Sequence, residues 1–160
     1  MKKYYFLYLL LISTFSCQQV TDSSDKAALK KHFEIPDDAE MIEYDGFPPM
    51  AGFGQREGLS ISAKYKLGDE GINNWIKNVK SKGLKKLPIE PECRKKLWFK
   101  NKLISLDTEA GYYFCRTAGN DVLNAAETKP CNEVDNLNDI IFAILDTDKK
   151  ELSVIVISGY

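Results

Sequence analysis

The sequence predicts an α+β domain: a mainly antiparallel sheet of about five or six strands, with one principal amphipathic helix over residues 69–82 packed on one face. Three observations support this class. One segment alternates between apolar and polar residues, another has helical periodicity, and two short runs near the C-terminus are rich in β-branched residues. The sequence contains no internal repeat at a fixed period.

The strongest strand signal is the stretch LSISAKYKL at residues 59–67. Apolar side chains alternate there with Ser and Lys along the whole stretch. Because successive side chains of a strand point to opposite faces, this period of two predicts a half-buried strand with one solvated face. The stretch AEMIEY at residues 39–44 is predicted to be the first strand of the sheet.

The principal helix is predicted over residues 69–82, with Asp69 as its N-cap and Gly83 just beyond its last turn. Its apolar residues recur at i, i+3, i+4 and i+7, so they form a single stripe along one side. These residues are Ile72, Trp75, Ile76 and Val79. A shorter helix is predicted for KAALKKHF, residues 26–33, which contains the only histidine of the chain.

Four further segments are predicted to be strands. They are KLWFKNKLISL at 96–106, GYYFCRT at 111–117, DIIFAIL at 139–145 and LSVIVIS at 152–158. The last two flank the turn DTDKKE and are expected to form a hairpin in the centre of the sheet, since both are apolar on each face. In the first, Trp98 and Phe99 must face opposite ways, and we expect Trp98 in the core.

The composition indicates one ordinary globular domain. The chain has 160 residues, of which 44% are hydrophobic and 28% charged, and a domain commonly has about 100–150 residues. The net charge of −1 offers no basic footprint for nucleic acid, so we expect no nucleic-acid partner.

The N-terminal residues have the organisation of an export signal. Lys2 and Lys3 precede an uncharged, mostly apolar run of 12 residues from Tyr4 to Phe15. Because a helix needs about 20 apolar residues to cross a bilayer, this run fits the apolar region of a signal peptide and not a membrane span. The run ends in small residues followed by Cys17.

This segment resembles a bacterial lipoprotein signal, which places a small residue directly before an obligatory cysteine. The resemblance implies that residues 1–16 are removed, that Cys17 carries acyl chains such as palmitate, and that residues 17–25 form a tether. Two or more acyl chains make a stable membrane anchor. Gln18 stands where an inner-membrane lipoprotein has Asp, so the resemblance implies the cell outer membrane if the host has one. Residues 26–160 are then expected to form the single globular domain.

The stretch GFPPMAGFGQREG at residues 46–58 has the spacing G-x-G-x-x-x-G, which approaches a dinucleotide-binding fingerprint. That fingerprint requires a helix after the glycines, since the helix N-terminus holds the phosphate. The segment that follows here has the period of a strand, so we expect no nucleotide and no other cofactor. The loop is expected either to cap the core or to bind a partner. Its candidate binding residues are Phe47, Met50, Phe53 and Arg56.

Three cysteines follow Cys17, so one thiol must remain after one internal disulfide forms in an exported chain. Cys115 and Cys131 would close a loop of roughly 15 residues, worth about 3 kcal/mol in the chain-entropy model, and we favour this pair. Pairing of Cys93 with either of them stays open, because sequence alone cannot choose.

No catalytic or metal site is expected. The chain has no C-x-x-C motif and only His32 as a histidine, which argues against zinc and against Cys–His or Ser–His–Asp catalysis. The acidic turn DTDKKE places Asp146, Asp148 and Glu151 together. It departs from a calcium-binding loop because Lys150 occupies a ligand position, so we expect a solvated turn.

These observations lead to an expectation about function. We expect a lipid-anchored envelope protein whose domain is a non-catalytic binding module for an envelope protein. Two alternatives stay open: an inhibitor or immunity-type protein that masks a toxin or hydrolase by β-augmentation or loop insertion, and a hydrolase that uses carboxylates. The hydrolase would require a deep pocket with two converging Asp or Glu side chains of shifted pKa.

Overall fold

The computed structural model describes residues 26–47, 59–117, 129–133 and 139–158. The strands are β1 (Glu40–Phe47), β2 (Leu59–Lys66), β3 (Lys85–Lys86), β4 (Gly111–Thr117), β5 (Lys129–Pro130), β6 (Ile140–Asp146) and β7 (Glu151–Ser158). The helices are α1 (residues 26–32), α2 (Asp69–Val79) and α3 (Pro91–Lys96), with 3₁₀ turns at Lys80–Lys82 and Cys131–Glu133.

All strands of the described ranges belong to one antiparallel sheet. Their order is β1-β2-β7-β6-β4-β3, and β5 also pairs with β4. Five strands have seven or eight residues, whereas β3 and β5 have two residues each. The antiparallel sheet and the helix packed on one of its faces confirm the predicted α+β class.

The hairpin of β6 and β7 forms the centre of the sheet, as predicted. Asp146 pairs with Glu151 at its closed end, and the Lys149 backbone N–H donates to Asp146 Oδ1 over 2.9 Å. Burial pushes the pKa of Asp146 upward, but hydrogen bonds from Lys149 outweigh it and hold this pKa below its ordinary value. Lys149 therefore stabilises the acidic turn through its contacts with Asp146.

Helices α1 and α2 cover the first face of the sheet. The predicted stripe of α2 points inward, with Ile72, Trp75 and Val79 buried against the sheet and Ile76 partly buried. Strand β2 contributes its alternate apolar residues to this core, as its period of two requires. Those residues are Ile61, Ala63 and Tyr65. Burial of such side chains contributes about 25 cal/mol per Å² of apolar surface removed from water.

The second face is covered by the chain between β3 and β4, and here the sequence prediction is wrong. Residues 96–106 form no strand: α3 ends at Lys96, and the chain then crosses the sheet without joining it. Phe99 packs on Phe142 at 5.7 Å between ring centroids, so its neighbour Trp98 points outward and is 48% exposed. The expectation that Trp98 is in the core is therefore also wrong.

The ends of α2 differ partly from the prediction. Gly68, and not Asp69, is the N-cap, and its extended backbone makes no side-chain cap hydrogen bond. The helix tightens into the 3₁₀ turn before Gly83, whose φ of 87° is the left-handed conformation that glycine adopts without strain. Within the described ranges, no helix has both the length and the apolar character needed to span a membrane.

Candidate functional site

The two edges of the sheet differ in length. β1 forms one edge with eight residues, and within the described part of the chain it pairs only with β2. At the other edge, β3 and β5 have two residues each. Very short edge strands protect a sheet from pairing with another chain, whereas a long edge strand offers a row of backbone N–H and C=O groups. In the described ranges, β1 is therefore the edge strand with enough length to pair with another strand.

A bulge in β1 turns one apolar side chain outward. The pairing of β1 with β2 shifts between Met41 and Glu43, which leaves Ile42 as the extra residue. Met41 and Tyr44 pack partly against the core of the first face. Ile42 is 45% exposed, and together with Trp98 it is one of the exposed large hydrophobic residues of the described chain.

Residues of opposite charge face each other across β1 and β2. Glu40 lies opposite Lys66 and Glu43 lies opposite Lys64 in the register of the two strands. Such cross-strand pairs stabilise a sheet by roughly 0.2–1 kcal/mol each. Charge complementarity at these positions therefore favours the observed register of β1 on β2.

Of the four predicted binding residues, the structure describes Phe47 only. Phe47 is the last residue of β1 and lies opposite Ser60 of β2. Met50, Phe53 and Arg56 fall in residues 48–58, outside the described residues, as does Cys17. Because residues 48–58 connect β1 to β2, the predicted binding loop begins where the edge strand ends. Whether it binds a partner stays a prediction.

A cavity of about 220 Å³ lies near the opposite edge of the sheet, on its second face. Residues of α3, β3, β4, β5 and the 3₁₀ turn after β5 surround it. Those with reactive or polar side chains are Lys85, Cys93, Tyr113, Cys115, Cys131 and Glu133. The cavity therefore contains sulfur, phenol, ammonium and carboxylate groups within one small volume.

The disulfide in the cavity joins Cys115 to Cys131, the pairing that we favoured from the sequence. Arg116 of β4 lies opposite Pro130 of β5. Because the two strands are antiparallel, Cys115, just before Arg116, comes next to Cys131, just after Pro130, and their Cα atoms are 5.5 Å apart. Cys93 is the remaining thiol of the described chain and is only 6% exposed.

Two polar groups of the cavity, those of Lys85 and Tyr113, are held by Glu90, which precedes α3. Its backbone N–H donates to the hydroxyl of Tyr113 over 3.2 Å, and its carboxylate accepts from Lys85. The hydrogen bond to Glu90 raises the pKa of Lys85, and burial raises the pKa of Tyr113. Burial also raises the pKa of Cys93, although the Lys85 ammonium acts in the opposite direction.

Among the described lining residues, the cavity brings no two carboxylates together. Glu133 is the one carboxylate among the described lining residues. His32 lies on α1, beside Phe33 in the core of the first face, whereas Cys93 lies on the second face. In the described part of the chain, no group of three or more His, Cys, Asp or Glu is arranged to hold a metal ion. The distinctive chemistry of the cavity is that of its sulfurs.

Comparison with known proteins does not extend this description. No protein family model matches the chain, and neither the curated proteins nor the solved structures give a match. The fold and the two features above define an α+β domain with a cysteine-lined cavity and one long edge strand that, in the described residues, pairs on one side only.

Two features escaped the reading of the sequence. Ile42 belongs to a segment predicted correctly as a strand, but no residue in it marks a bulge. The cavity depends on α3, a helix that the sequence analysis above does not predict. Pro91 at the first position of α3 was the available signal, because proline is favoured at the start of a helix.

Proposed function

We propose that this chain is a lipid-anchored protein of the bacterial cell envelope whose domain binds an extended segment of another protein along strand β1. The binding is non-catalytic. The observation that carries the proposal is the eight-residue edge strand with an exposed Ile42, which leads directly into residues 48–58. An added strand gains main-chain hydrogen bonds for affinity and side-chain pockets for specificity.

The anchor is proposed from the sequence. A positive start, a 12-residue apolar run and a small residue before Cys17 together match the order of a lipoprotein signal. Lipidation at Cys17 would hold the domain at the membrane through residues 17–25. Gln18 favours the outer membrane where the host has one.

The edge strand and the loop provide complementary contacts. The backbone groups of β1 can bond to a strand of any sequence. Specificity for one partner would come from apolar contacts of Ile42 and of the predicted Phe47, Met50 and Phe53. Exposed Met and aromatic side chains are typical of interaction surfaces. Where the structure describes the chain, the strands of the opposite edge have two residues each and offer no comparable length for pairing.

A carboxylate-dependent hydrolase receives less support. General acid–base chemistry of that class needs two carboxylates that converge in a pocket with separated pKa values. The described cavity contains Glu133 alone, beside a disulfide, a thiol and a tyrosine. Among described carboxyl groups with a resolved shift, Glu92 and Asp146 both have a lowered pKa, whereas a general acid needs a raised one.

The second candidate function is that of an inhibitor or immunity-type protein. The same edge strand favours it, because such a protein can mask a toxin or hydrolase by pairing with one of its strands or by inserting a loop. The two candidates differ in outcome: an inhibitor abolishes an activity of the bound partner, whereas a scaffold leaves it unchanged.

The anchor is tested by Cys17→Ser. We expect the variant to lose metabolic labelling with a palmitate analogue and to leave the membrane fraction. Cys93→Ser is the matched control, since it removes a thiol from the domain and should retain both properties. Membrane association that persists unchanged in Cys17→Ser would refute the lipid anchor.

The edge is tested by photo-crosslinking in intact cells, with a photoreactive amino acid placed at position 42 or, as control, at position 98. Both sites replace an exposed large hydrophobic residue. We expect a discrete adduct from position 42 only, and loss of the partner in Ile42→Lys, because lysine on an edge strand opposes pairing. Equal adducts from both positions would contradict the proposal.

The loop is tested with Phe47, Met50 and Phe53 all changed to Ala. We expect this variant to reduce the position-42 adduct several-fold while the domain stays folded by circular dichroism. If the adduct persists at full yield, the partner contacts β1 without the loop, and the predicted role of these three residues is wrong.

A further inference from the structure

The cavity brings a thiol and a disulfide together. Cys93 lies on α3, Cys115 on β4 and Cys131 at the start of a 3₁₀ turn, yet all three line the same space of about 220 Å³. They also belong to one buried cluster on the second face of the sheet. Three cysteines can form only one disulfide among themselves, so any one of them is a potential alternative partner.

Helix α3 lies against the turn that carries Cys131. Lys96, three residues after Cys93, donates from Nζ to the backbone carbonyl oxygen of Cys131 over 3.3 Å. Residues three apart lie on the same side of a helix, so the side of α3 that carries Cys93 faces the turn that carries Cys131. Cys115 belongs to β4 and approaches Cys131 from the sheet.

We propose that this cavity is a thiol–disulfide exchange site, in which Cys93 replaces Cys115 as the partner of Cys131. The proposal goes beyond partner binding and does not depend on β1, which lies at the opposite edge of the sheet. In this site Cys93 is the attacking thiol, and the exchange needs no external oxidant.

The exchange is balanced in atoms and electrons. Cys93 first loses its proton to water, and its thiolate attacks Sγ of Cys131. The Cys93–Cys131 bond forms as the Cys115–Cys131 bond breaks, and the electron pair leaves on Sγ of Cys115. That thiolate then takes a proton from water. One thiol and one disulfide are present before and after, so nothing is oxidised or reduced overall.

The surroundings of Cys93 determine how fast exchange proceeds. Burial disfavours its thiolate, while the ammonium groups of Lys85 and Lys96 favour it and the Glu90 carboxylate opposes it. The hydroxyl of Tyr113 also faces this region, and burial raises its pKa as well. Since only the thiolate attacks, the exchange rate is expected to rise about tenfold per pH unit below the pKa of Cys93.

Exchange changes which elements are joined covalently. In the observed form, the disulfide fastens β4 to the turn after the two-residue strand β5. In the exchanged form, the same turn is fastened to α3, and β5 pairs with β4 through hydrogen bonds alone. The site thus has two linkage states that differ in how the segment between β4 and β6 is held.

The first test incubates the folded full-length chain at pH 6.5 and at pH 9, stops the exchange by adding acid, and then labels the free thiols with a maleimide in mildly acidic denaturant, because the cysteines are buried in the folded chain. Trypsin then separates the three cysteines, because they lie in different peptides: residues 87–94, 103–116 and 117–149. We expect label on Cys93 at pH 6.5 and a fraction on Cys115 at pH 9 that appears faster as pH rises. Label confined to Cys93 after long incubation at pH 9 would overturn the proposal.

The second test uses Cys115→Ser. If the variant folds, we expect a Cys93–Cys131 disulfide in glutathione redox buffer, seen as a joined pair of the peptides 87–94 and 117–149. Cys93→Ser is the control and should retain only the Cys115–Cys131 bond. A folded Cys115→Ser chain with two free thiols would overturn the proposal, and the trapping experiment decides the matter if the variant does not fold.

Discussion

The indole Nε1 of Trp75 donates a 2.9 Å hydrogen bond to the backbone carbonyl oxygen of Phe33, and both groups are buried. This bond ties α2 to the residue that follows α1, across 42 positions of sequence. Phe114 of β4 stacks on both aromatic rings, with centroids 5.8 Å from Phe33 and 6.1 Å from Trp75. One side chain therefore links both helices of the first face to the sheet.

Trp75→Phe is expected to reduce the free energy of unfolding by about 2–4 kcal/mol. The change removes the only donor of this hydrogen bond, leaves the Phe33 carbonyl buried, and opens a cavity where the indole stood. Urea denaturation followed by circular dichroism measures the loss. Trp98→Phe is the control and should change stability by less than about 0.5 kcal/mol, since Trp98 is half exposed.

Gly68→Ser is expected to stabilise the protein by about 0.5–1 kcal/mol. Gly68 is the N-cap of α2 with φ −79° and ψ 172°, the extended conformation that capping residues adopt, yet it has no side chain to bond the first turn. A Cβ there would meet no atom within 4 Å. Serine adds a capping oxygen and reduces the freedom of the unfolded chain. Gly68→Val, which cannot cap, should gain nothing in the same denaturation assay.

Regular elements of this chain could be predicted because each has a periodic apolar pattern. The alternation in β2 and the stripe in α2 each specify which side chains face the first-face core, and both elements appear as predicted. The double-sided apolar runs of β6 and β7 likewise predicted the centre of the sheet. In these segments the local sequence pattern and the tertiary packing favour the same residues at the same positions.

The segment 96–106 could not be predicted in the same way. Its Leu97 and Phe99 alternate with Trp98 and Lys100, which is the pattern of a strand facing a core. The side chains do alternate, because Leu97 and Phe99 are buried and the other two exposed. This alternation does not reveal whether the backbone pairs with a strand of the sheet or lies across its face.

The candidate sites depend on long-range placement still more strongly. Spacing favoured the Cys115–Cys131 pair, but nothing local indicates that Cys93, on a six-residue helix, shares their cavity. The status of β1 as an edge depends on the order of all strands in the sheet. Strand order is a property of topology, and no local pattern in β1 reports it.

Gly111→Ala is expected to destabilise the protein by at least about 2–3 kcal/mol. Gly111 has φ of 128°, which alanine rarely adopts, and an added Cβ would overlap the carbonyl oxygen of Leu145 in β6. Gly71→Ala in α2 is the matched control. Its new Cβ would meet Asp38 and Leu67 at ordinary contact distances, so the better helix propensity of alanine should give a small gain. Equal effects of the two changes in thermal denaturation would contradict this account.

Tyr65 gives the folded protein a dependence on alkaline pH. Its side chain is fully buried, and its hydroxyl has no hydrogen-bond partner among the described residues. Burial, with a smaller effect of Tyr44, raises the pKa of Tyr65 from 10.0 to about 12. Between these values the unfolded chain releases the proton while the folded chain keeps it. The free energy of unfolding therefore does not depend on this group below pH 10, and it decreases as the pH rises toward 12.

Tyr65→Phe is therefore expected to be neutral or to stabilise by up to about 1 kcal/mol at pH 7, because it removes a buried hydroxyl without a partner. Its advantage over the parent should then grow from pH 9 to pH 11, as the parent alone loses the contribution of this proton. Urea denaturation at both pH values measures the difference, in a Cys93→Ser background that prevents disulfide exchange. Tyr112→Phe, at a half-buried tyrosine, is the control. A difference between Tyr65→Phe and its parent that stays constant with pH would show that Tyr65 does not carry the alkaline dependence.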